Sequence, residues 1–391
     1  MSKPRTALVI VQSRIAIDPR VVRQIEWLGE EGWVVDSLGF GEKPVAGMRD
    51  HFAIGPVASW TKPKPGLGIL HSLPYRTRFR ILAESRFPAE VGERIARGDY
   101  DLIIFNDTHL IPWLGNTSVF TPAALRAHIH LDLHEFFPVD LPASTRFRFL
   151  LNGYHRWGRR FISSPAFTTR STVVSGIADL YQAELGGPPP TIVRNAPPYV
   201  EQEPTPVDPG RIRLLHHGVA AWERGLRELV DAVRLLDDRF EITFMLTGSA
   251  AVIAELKEYS ADIRDRVHVV PPAPMAELAT TVNAFDLEVM FYKPMSTNLR
   301  LALPNKLFEA IQGRLGLVIG ESPMMAEVVR AHDNGVICTT GWTAEDLAAA
   351  LSPVTAADVE RFKANSHRVA REFSAENERI AFFASIATPT P

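Results

Sequence analysis

Short apolar runs recur along the chain, each passing into a polar loop and then into a helix-spaced apolar stripe. Residues 6–11 (TALVIV) are continuous rather than alternating, as in a parallel strand buried on both faces. Asp18-Pro19 then supplies an N-cap and a proline for the first helical turn, and Val21, Val22, Ile25 and Leu28 form the stripe. Gly32 ends that helix, and residues 33–38 begin the next strand. Further strands are predicted over 101–105, 129–133, 172–175 and 191–194. A second series follows over 211–217, 242–247, 267–270, 287–292 and 317–319. Strands alternating with helices predict parallel sheets made of βαβ units.

Residues 196–210 hold five prolines and one glycine and read as a linker between the two series. The expected fold class is α/β, with two Rossmann-like doubly wound domains over 1–195 and 211–365. Residues 355–388 carry a helical stripe (Val359, Phe362, Val369, Phe373, Ile380, Phe383), and 366–391 is expected to form a terminal helix. Residues 41–75 are rich in Gly and Pro and are expected to be short strands and irregular loop.

Composition narrows the class without naming a function. The 391 residues suffice for two large cores, and one cysteine, Cys338, excludes an intramolecular disulfide framework. A thiolate metal site is not expected, and Cys338 reads as a buried bystander. The first apolar run is too short for a signal peptide, and no stretch approaches the 18 apolar residues of a membrane span. A cytoplasmic chain is expected. Net charge is −3, but residues 1–195 hold 23 Lys/Arg against 18 Asp/Glu (+5), and the remainder 19 against 27 (−8). Two basic, aromatic-bearing stretches account for much of the first value. Residues 60–97 have eight basic and three acidic residues, and residues 141–170 have six arginines and no acid. The second reads as a basic amphipathic helix bearing Arg156, Trp157, Arg159 and Arg160, suited to an anionic membrane surface or acceptor, with Arg20 added near the start of the first helix. For residues 60–97 the plainer reading is a solvated helix face. A pI near 6.5 and the absence of a recognised module argue against nucleic acid.

Candidate chemistry collects at predicted strand ends, where open α/β sheets bind ligands. Asn106-Asp107 ends one strand and Asp132-Leu133-His134-Glu135 ends the next. In the second half, Gly218 opens a turn followed by Arg224, and Pro304-Asn305-Lys306-Leu307-Phe308-Glu309 begins a helix. A helix start favours phosphate, Lys306 adds a point charge, and Glu309 can accept from a ribose diol. The plainer reading is a Lys–Glu pair three apart on a solvated face.

The segment PNKLFEAIQGRLGLVIGESPMMAEVV resembles the donor-site segment of GT-B glycosyltransferases of the family-4-like group. SRIAIDPRVVRQIEWLGEEGWVV, DLHEFFP, VVSGIADLY and HHGVAAWERGLRELVDAV are similar to further motifs of that group, in order, from about residue 7 to 385. The resemblance implies two domains facing across a cleft, with the C-terminal helix crossing back to the first. It implies a nucleotide-diphosphate sugar as donor, with Glu309 on the ribose, Lys306 and Arg224 on the diphosphate, and Asn305, Leu307, Gly218 and Asn298 beside them. His134 would face the donor sugar, with Glu135 and Asp107 near the chemistry. Retention of anomeric configuration and independence of metal are further implications, with no cofactor, and no Asp-x-Asp motif is expected anywhere in the chain. The acceptor would be a glycan, a lipid-linked or a small-molecule hydroxyl, with peripheral contact at the inner face of a membrane. One departure is Leu301, where many members carry the first of two paired glutamates; the proline expected after Gly316 is also absent. Two other readings stay open: a nucleotide-sugar epimerase or hydrolase of the same fold, and a non-catalytic sugar-nucleotide-binding scaffold.

Overall fold

A computed structural model of the chain describes residues 3–54, 72–137, 153–339 and 341–387. Residues 60–71 of the first basic stretch, 141–152 of the second and 388–391 of the terminus lie outside the described residues. The chain divides into two compact units, residues 1–193 with 379–391, and residues 194–378.

The first unit is a seven-stranded parallel sheet in the order β3-β2-β1-β4-β5-β6-β7. Its strands are β1 (Thr6–Arg14), β2 (Val34–Phe40), β3 (His51–Ala53), β4 (Leu102–Asn106), β5 (His128–Leu133), β6 (Thr169–Thr172) and β7 (Thr191–Ile192). Helix α1 (Pro19–Glu30) starts where the sequence places it: the Asp18 side chain accepts from the Val21 amide, with Pro19 in the first turn. Val21, Ile25 and Leu28 are buried against the sheet, so the predicted stripe is the packed face. Helices α2 (Tyr75–Leu82), α3 (Ala89–Arg97) and α4 (Ser175–Leu185) follow, and residues 153–159 are helical as well. The strand expected at 172–175 lies earlier, at Thr169–Thr172, because Ser175 already opens α4.

The second unit is a six-stranded parallel sheet in the order β10-β9-β8-β11-β12-β13. Its strands are β8 (Ile212–Ala220), β9 (Phe240–Gly248), β10 (Val267–Val270), β11 (Leu287–Met290), β12 (Gly316–Gly320) and β13 (Gly335–Cys338). The intervening helices are α5 (Leu226–Leu235), α6 (Ala250–Tyr259), α7 (Leu278–Val282), α8 (Thr297–Arg300), α9 (Asn305–Gln312), α10 (Pro323–His332), α11 (Ala344–Leu351) and α12 (Ala356–Val369). A last helix, α13 (Ala375–Ser385), runs from this unit into the first, with the boundary at Glu378. Sheet order reverses between β8 and β11, which are joined in register at Leu287–Leu214 and Glu288–Leu215. Doubly wound sheets bind ligands outside the carboxyl ends of strands at such a point.

The strand period of two explains what reaches that point. On β11, Leu287 and Val289 enter one core layer, with Phe291 beyond the strand, while Met290 and Tyr292 enter the layer beneath α9. Glu288 therefore points to the α9 side. It is a carboxylate with 0% exposure inside an otherwise apolar strand. On β8, Leu215 packs in the same layer, and His217 follows it two residues later on the same face. Cys338 is buried and free, as expected.

Candidate functional site

In the second unit, His217 stands between two acids. Its Nδ1 lies 2.9 Å from Glu288 Oε2 and its Nε2 2.9 Å from Glu309 Oε2. A neutral imidazole offers one donor and one acceptor, whereas both partners here are carboxylates, so the geometry suits the imidazolium. Burial opposes that charge, but Glu288 and then Glu309 outweigh it and raise the His217 pKa to about 9. His216 behaves oppositely. Buried at 0% exposure and near the Lys306 charge, it titrates well below the ordinary range and is neutral at pH 7. Its Nδ1 bonds the Val289 carbonyl at 2.8 Å, and its Nε2 meets no hydrogen-bond partner among the described residues.

Helix α9 brings Lys306 and Glu309 to the same place, but not to each other. Glu309 is taken by His217, and Lys306 extends over Gly218, where its Nζ would stand 3.3 Å from a Cβ added at that glycine. Burial lowers the Lys306 pKa, with Arg224 adding to the effect and Glu288 and Glu309 opposing it. The solvated Lys–Glu pair is therefore not what forms. Arg224 sits in the turn between β8 and α5, its guanidinium 5.2 Å from the Tyr292 ring. That turn needs Gly225: φ is +77° and a Cβ would come within 2.2 Å of the Phe291 carbonyl oxygen.

The remaining donor-site expectations divide. Asn298 lies on α8 and is half-buried; Leu301, at the end of that helix, is 7% exposed. Asn305 is exposed and accepts from Asn195 Nδ2 at 2.8 Å. Leu307 is a correction. Its side chain has 0% exposure in the core beneath α9, and its amide donates to the Pro304 carbonyl, so neither is offered to a ligand.

In the first unit the carboxyl edge is organised by Asp132, at 0% exposure. It accepts from Arg20 Nε and Nη2, Gln24 Nε2 and Ser171 Oγ, each at 2.7 Å. Burial raises its pKa, but Arg20 and His134 prevail and hold the carboxyl well below the usual range. Arg20 also donates to the Val193 carbonyl at 2.6 Å and is 5% exposed. This corrects the expectation of Arg20 as an acceptor or membrane contact, since a guanidinium committed to a buried acid cannot reach a surface.

His134 is tied on both sides. Its Nε2 lies 3.2 Å from Asn106 Oδ1 and 3.4 Å from Asp132, and its Nδ1 is 3.4 Å from Asp107. Burial opposes protonation, but Asp107 and Asp132 raise its pKa. Asp107 adopts a left-handed φ of +60°, which turns its carboxylate back to accept from the His134 amide. Glu135 is exposed, and its carbonyl accepts from Tyr181 Oη at 2.8 Å.

Of the basic set, Arg156 and Arg160 are exposed and Trp157 is half-buried. With Tyr75 and Gly153 they line a hollow of about 340 Å³. Arg159 is not free for it, being paired with Glu184 on α4. The expectation of no Asp-x-Asp motif is corrected: Asp99-Tyr100-Asp101 is one, but it stands before β4 at the opposite edge, with Asp101 holding Thr6 and Asp99 holding Arg97. No helix among the described residues is long and apolar enough to cross a membrane.

Sequence reasoning missed Gln24, Ser171, His217 and Glu288. A histidine pair ending a strand and an acid inside the apolar run FDLEVMFY were the available signals.

Residues 211–356 match the family described as glycosyl transferases group 1. No curated relative matches the chain. Solved structures do, at low identity. Sucrose-phosphate synthase from Thermosynechococcus elongatus is 14% identical over 97% of this chain and 98% of its own, with a TM-score of 0.66. HepE from Anabaena in complex with UDP is 14% identical over 98% and 99%, with a TM-score of 0.64. The UDP-forming α,α-trehalose-phosphate synthase from Burkholderia vietnamiensis is 12% identical over 98% of each chain, with a TM-score of 0.63. The fold is the GT-B fold of these structures, and residues 211–356 match the group 1 model.

Proposed function

We propose, from a match of residues 211–356 to the group 1 glycosyl transferases and a GT-B fold, that this chain moves a sugar from a nucleotide-diphosphate sugar to a hydroxyl acceptor, with retention and without metal. The observation that carries the reading is the group at the β8–β11 switch point: Glu309 oriented by His217, with Lys306 over Gly218 at the start of α9. Glu309 uses one oxygen toward His217, which leaves acceptor capacity for a ribose diol. Lys306 and Arg224 place positive charge for the diphosphate, beside the opening turn of an eight-residue helix.

In the transfer, the bond from the anomeric carbon to the phosphate oxygen breaks and one to the acceptor oxygen forms. The acceptor proton passes to the departing phosphate. Cations fixed where that phosphate gains charge lower the barrier, and removing one such group typically costs about 10²–10³-fold in rate. Among the structurally similar proteins, HepE was solved with UDP and with UDP-glucose, which makes a uridine donor the first to try. We assign acceptor binding to the first unit through Arg156, Trp157 and Arg160, and keep His134, Glu135 and Asp107 as its groups nearest the chemistry. Peripheral attachment to an anionic membrane surface through Arg156 and Arg160 fits their exposure.

The test is a panel of UDP-, GDP-, dTDP- and ADP-sugars with hydroxyl acceptors, following nucleoside diphosphate release with and without EDTA and reading the product anomer by proton NMR. Acceptor-dependent release that survives EDTA and keeps the donor's anomeric configuration is expected. Turnover without acceptor would replace transfer by epimerase or hydrolase chemistry. Binding without turnover would leave a scaffold.

A further inference from the structure

We infer that His217, held by the buried Glu288, is a positioning residue that sets the Glu309 carboxylate for recognition of the nucleotide's ribose; the inference rests on the donor-site reading above. Three elements meet here that are remote in sequence: β8 supplies His217, β11 supplies Glu288 and α9 supplies Glu309. Glu288 has no exposure and grips His217 twice, through the Nδ1 contact at 2.9 Å and a backbone amide contact at 3.4 Å. The histidine is thereby fixed before any ligand arrives. Its other nitrogen, 2.9 Å from Glu309 Oε2, then selects one rotamer of a glutamate that retains 14% exposure. Oε1 and the remaining lone pair of Oε2 are left to accept from two adjacent hydroxyls, a pattern that a cis-diol satisfies and a 2′-deoxyribose does not.

The charge state matters as well as the placement. Lys306 and Arg224 are near enough to act on each other and on His216, neutral His216 precedes His217 on β8, and no further acid is paired with His217 than Glu288 and Glu309 among the described residues. While His217 is protonated, both nitrogens donate and both carboxylates are satisfied. Once it loses the proton, one nitrogen turns a lone pair toward an acid, and the Glu309 rotamer is released. Preference for ribose should therefore be constant through neutral pH and decline as pH rises through about 9.

The experiment measures calorimetric affinity of whichever nucleoside diphosphate binds the wild-type chain, of its 2′-deoxy analogue and of inorganic pyrophosphate, as a function of pH. His217→Ala, His217→Gln and Glu288→Gln are compared, with thermal melts confirming that each is folded. In His217→Ala we expect the ribose form to weaken by about 10- to 100-fold, as for loss of a hydrogen bond to a charged group, while the deoxy form and pyrophosphate change little. His217→Gln, which keeps one donor toward Glu309, should recover part of the preference and show it flat across pH. If His217→Ala does not fold, Glu288→Gln and His217→Gln decide alone: a ribose-to-deoxy ratio equal to wild type in both overturns the inference. A wild-type chain that binds nucleotide with an unaltered ratio in every variant overturns only the role of His217. A wild-type chain that binds no nucleoside diphosphate overturns the donor-site reading and this inference with it.

Discussion

The two units hold histidine-centred polar clusters at equivalent sheet edges, and their cations differ in kind. In the first, Asp132 is neutralised by Arg20, which cannot shed its proton, and is further bound by Gln24 and Ser171, so that His134, 3.4 Å from both Asp132 and Asp107, adds a titratable charge to an acid already paired. In the second, Glu288 and Glu309 are neutralised by His217, which can. A permanent cation with a saturated acid makes a fixed scaffold. A titratable cation between two acids makes a group whose arrangement follows pH and ligand. The comparison also explains why Lys306 is not paired with its helical neighbour Glu309, one oxygen of which His217 already holds.

The largest effect should separate the clusters by stability. Asp132→Ala leaves the Arg20 charge buried and should cost about 3–5 kcal/mol, read by urea unfolding. Glu288→Gln should cost much less, because His217 can become neutral. Equal losses would break the distinction. Next, Lys306→Met should lower the turnover of sugar transfer by about 100-fold or more while leaving the melting temperature within a few degrees. An unchanged kcat would remove Lys306 from the leaving-group site.

The pH dependence comes third. His217 binds its proton more tightly folded than unfolded, so its contribution is complete below about 6.5 and is lost as pH rises through about 9. The span corresponds to roughly 3 kcal/mol at most. Wild type should lose stability across that window in buffered denaturant titrations, and His217→Gln should lose less. Identical profiles would show that the bridge is not charged. The smallest effect belongs to the surface. Arg156→Ala with Arg160→Ala should alter stability by no more than about 0.5 kcal/mol. It should weaken co-sedimentation with phosphatidylserine vesicles at low salt, and unchanged sedimentation would remove these residues from membrane contact.

Much of this is readable along the chain, for reasons that also set the limit. Continuous apolar runs locate the strands because parallel sheets are covered on both faces, and Asp18-Pro19 locates a helix start because its capping is local. Lys306 and Glu309 are legible from helical spacing alone. Leu307 reads as a ligand contact from its place in the motif, although its spacing with Phe308 and Ile311 puts it on the packed stripe. Arg20 reads as a surface cation because nothing local shows that α1 sets its first turn on Asp132, 112 residues away. The pairing of His217 with Glu288 is invisible for the same reason, since their meeting depends on β8 and β11 being neighbours across the reversal of sheet order.

The central claim is that Glu309, in its bridged position, holds the nucleotide of the donor. It is tested most directly by calorimetric titration of UDP, GDP, dTDP and ADP into wild type and Glu309→Ala. Saturable binding of one nucleotide to wild type, weakened by about 100-fold or more in a variant that still unfolds cooperatively, is the predicted result. Equal affinity in the two proteins, or no binding of any of the four, would contradict it.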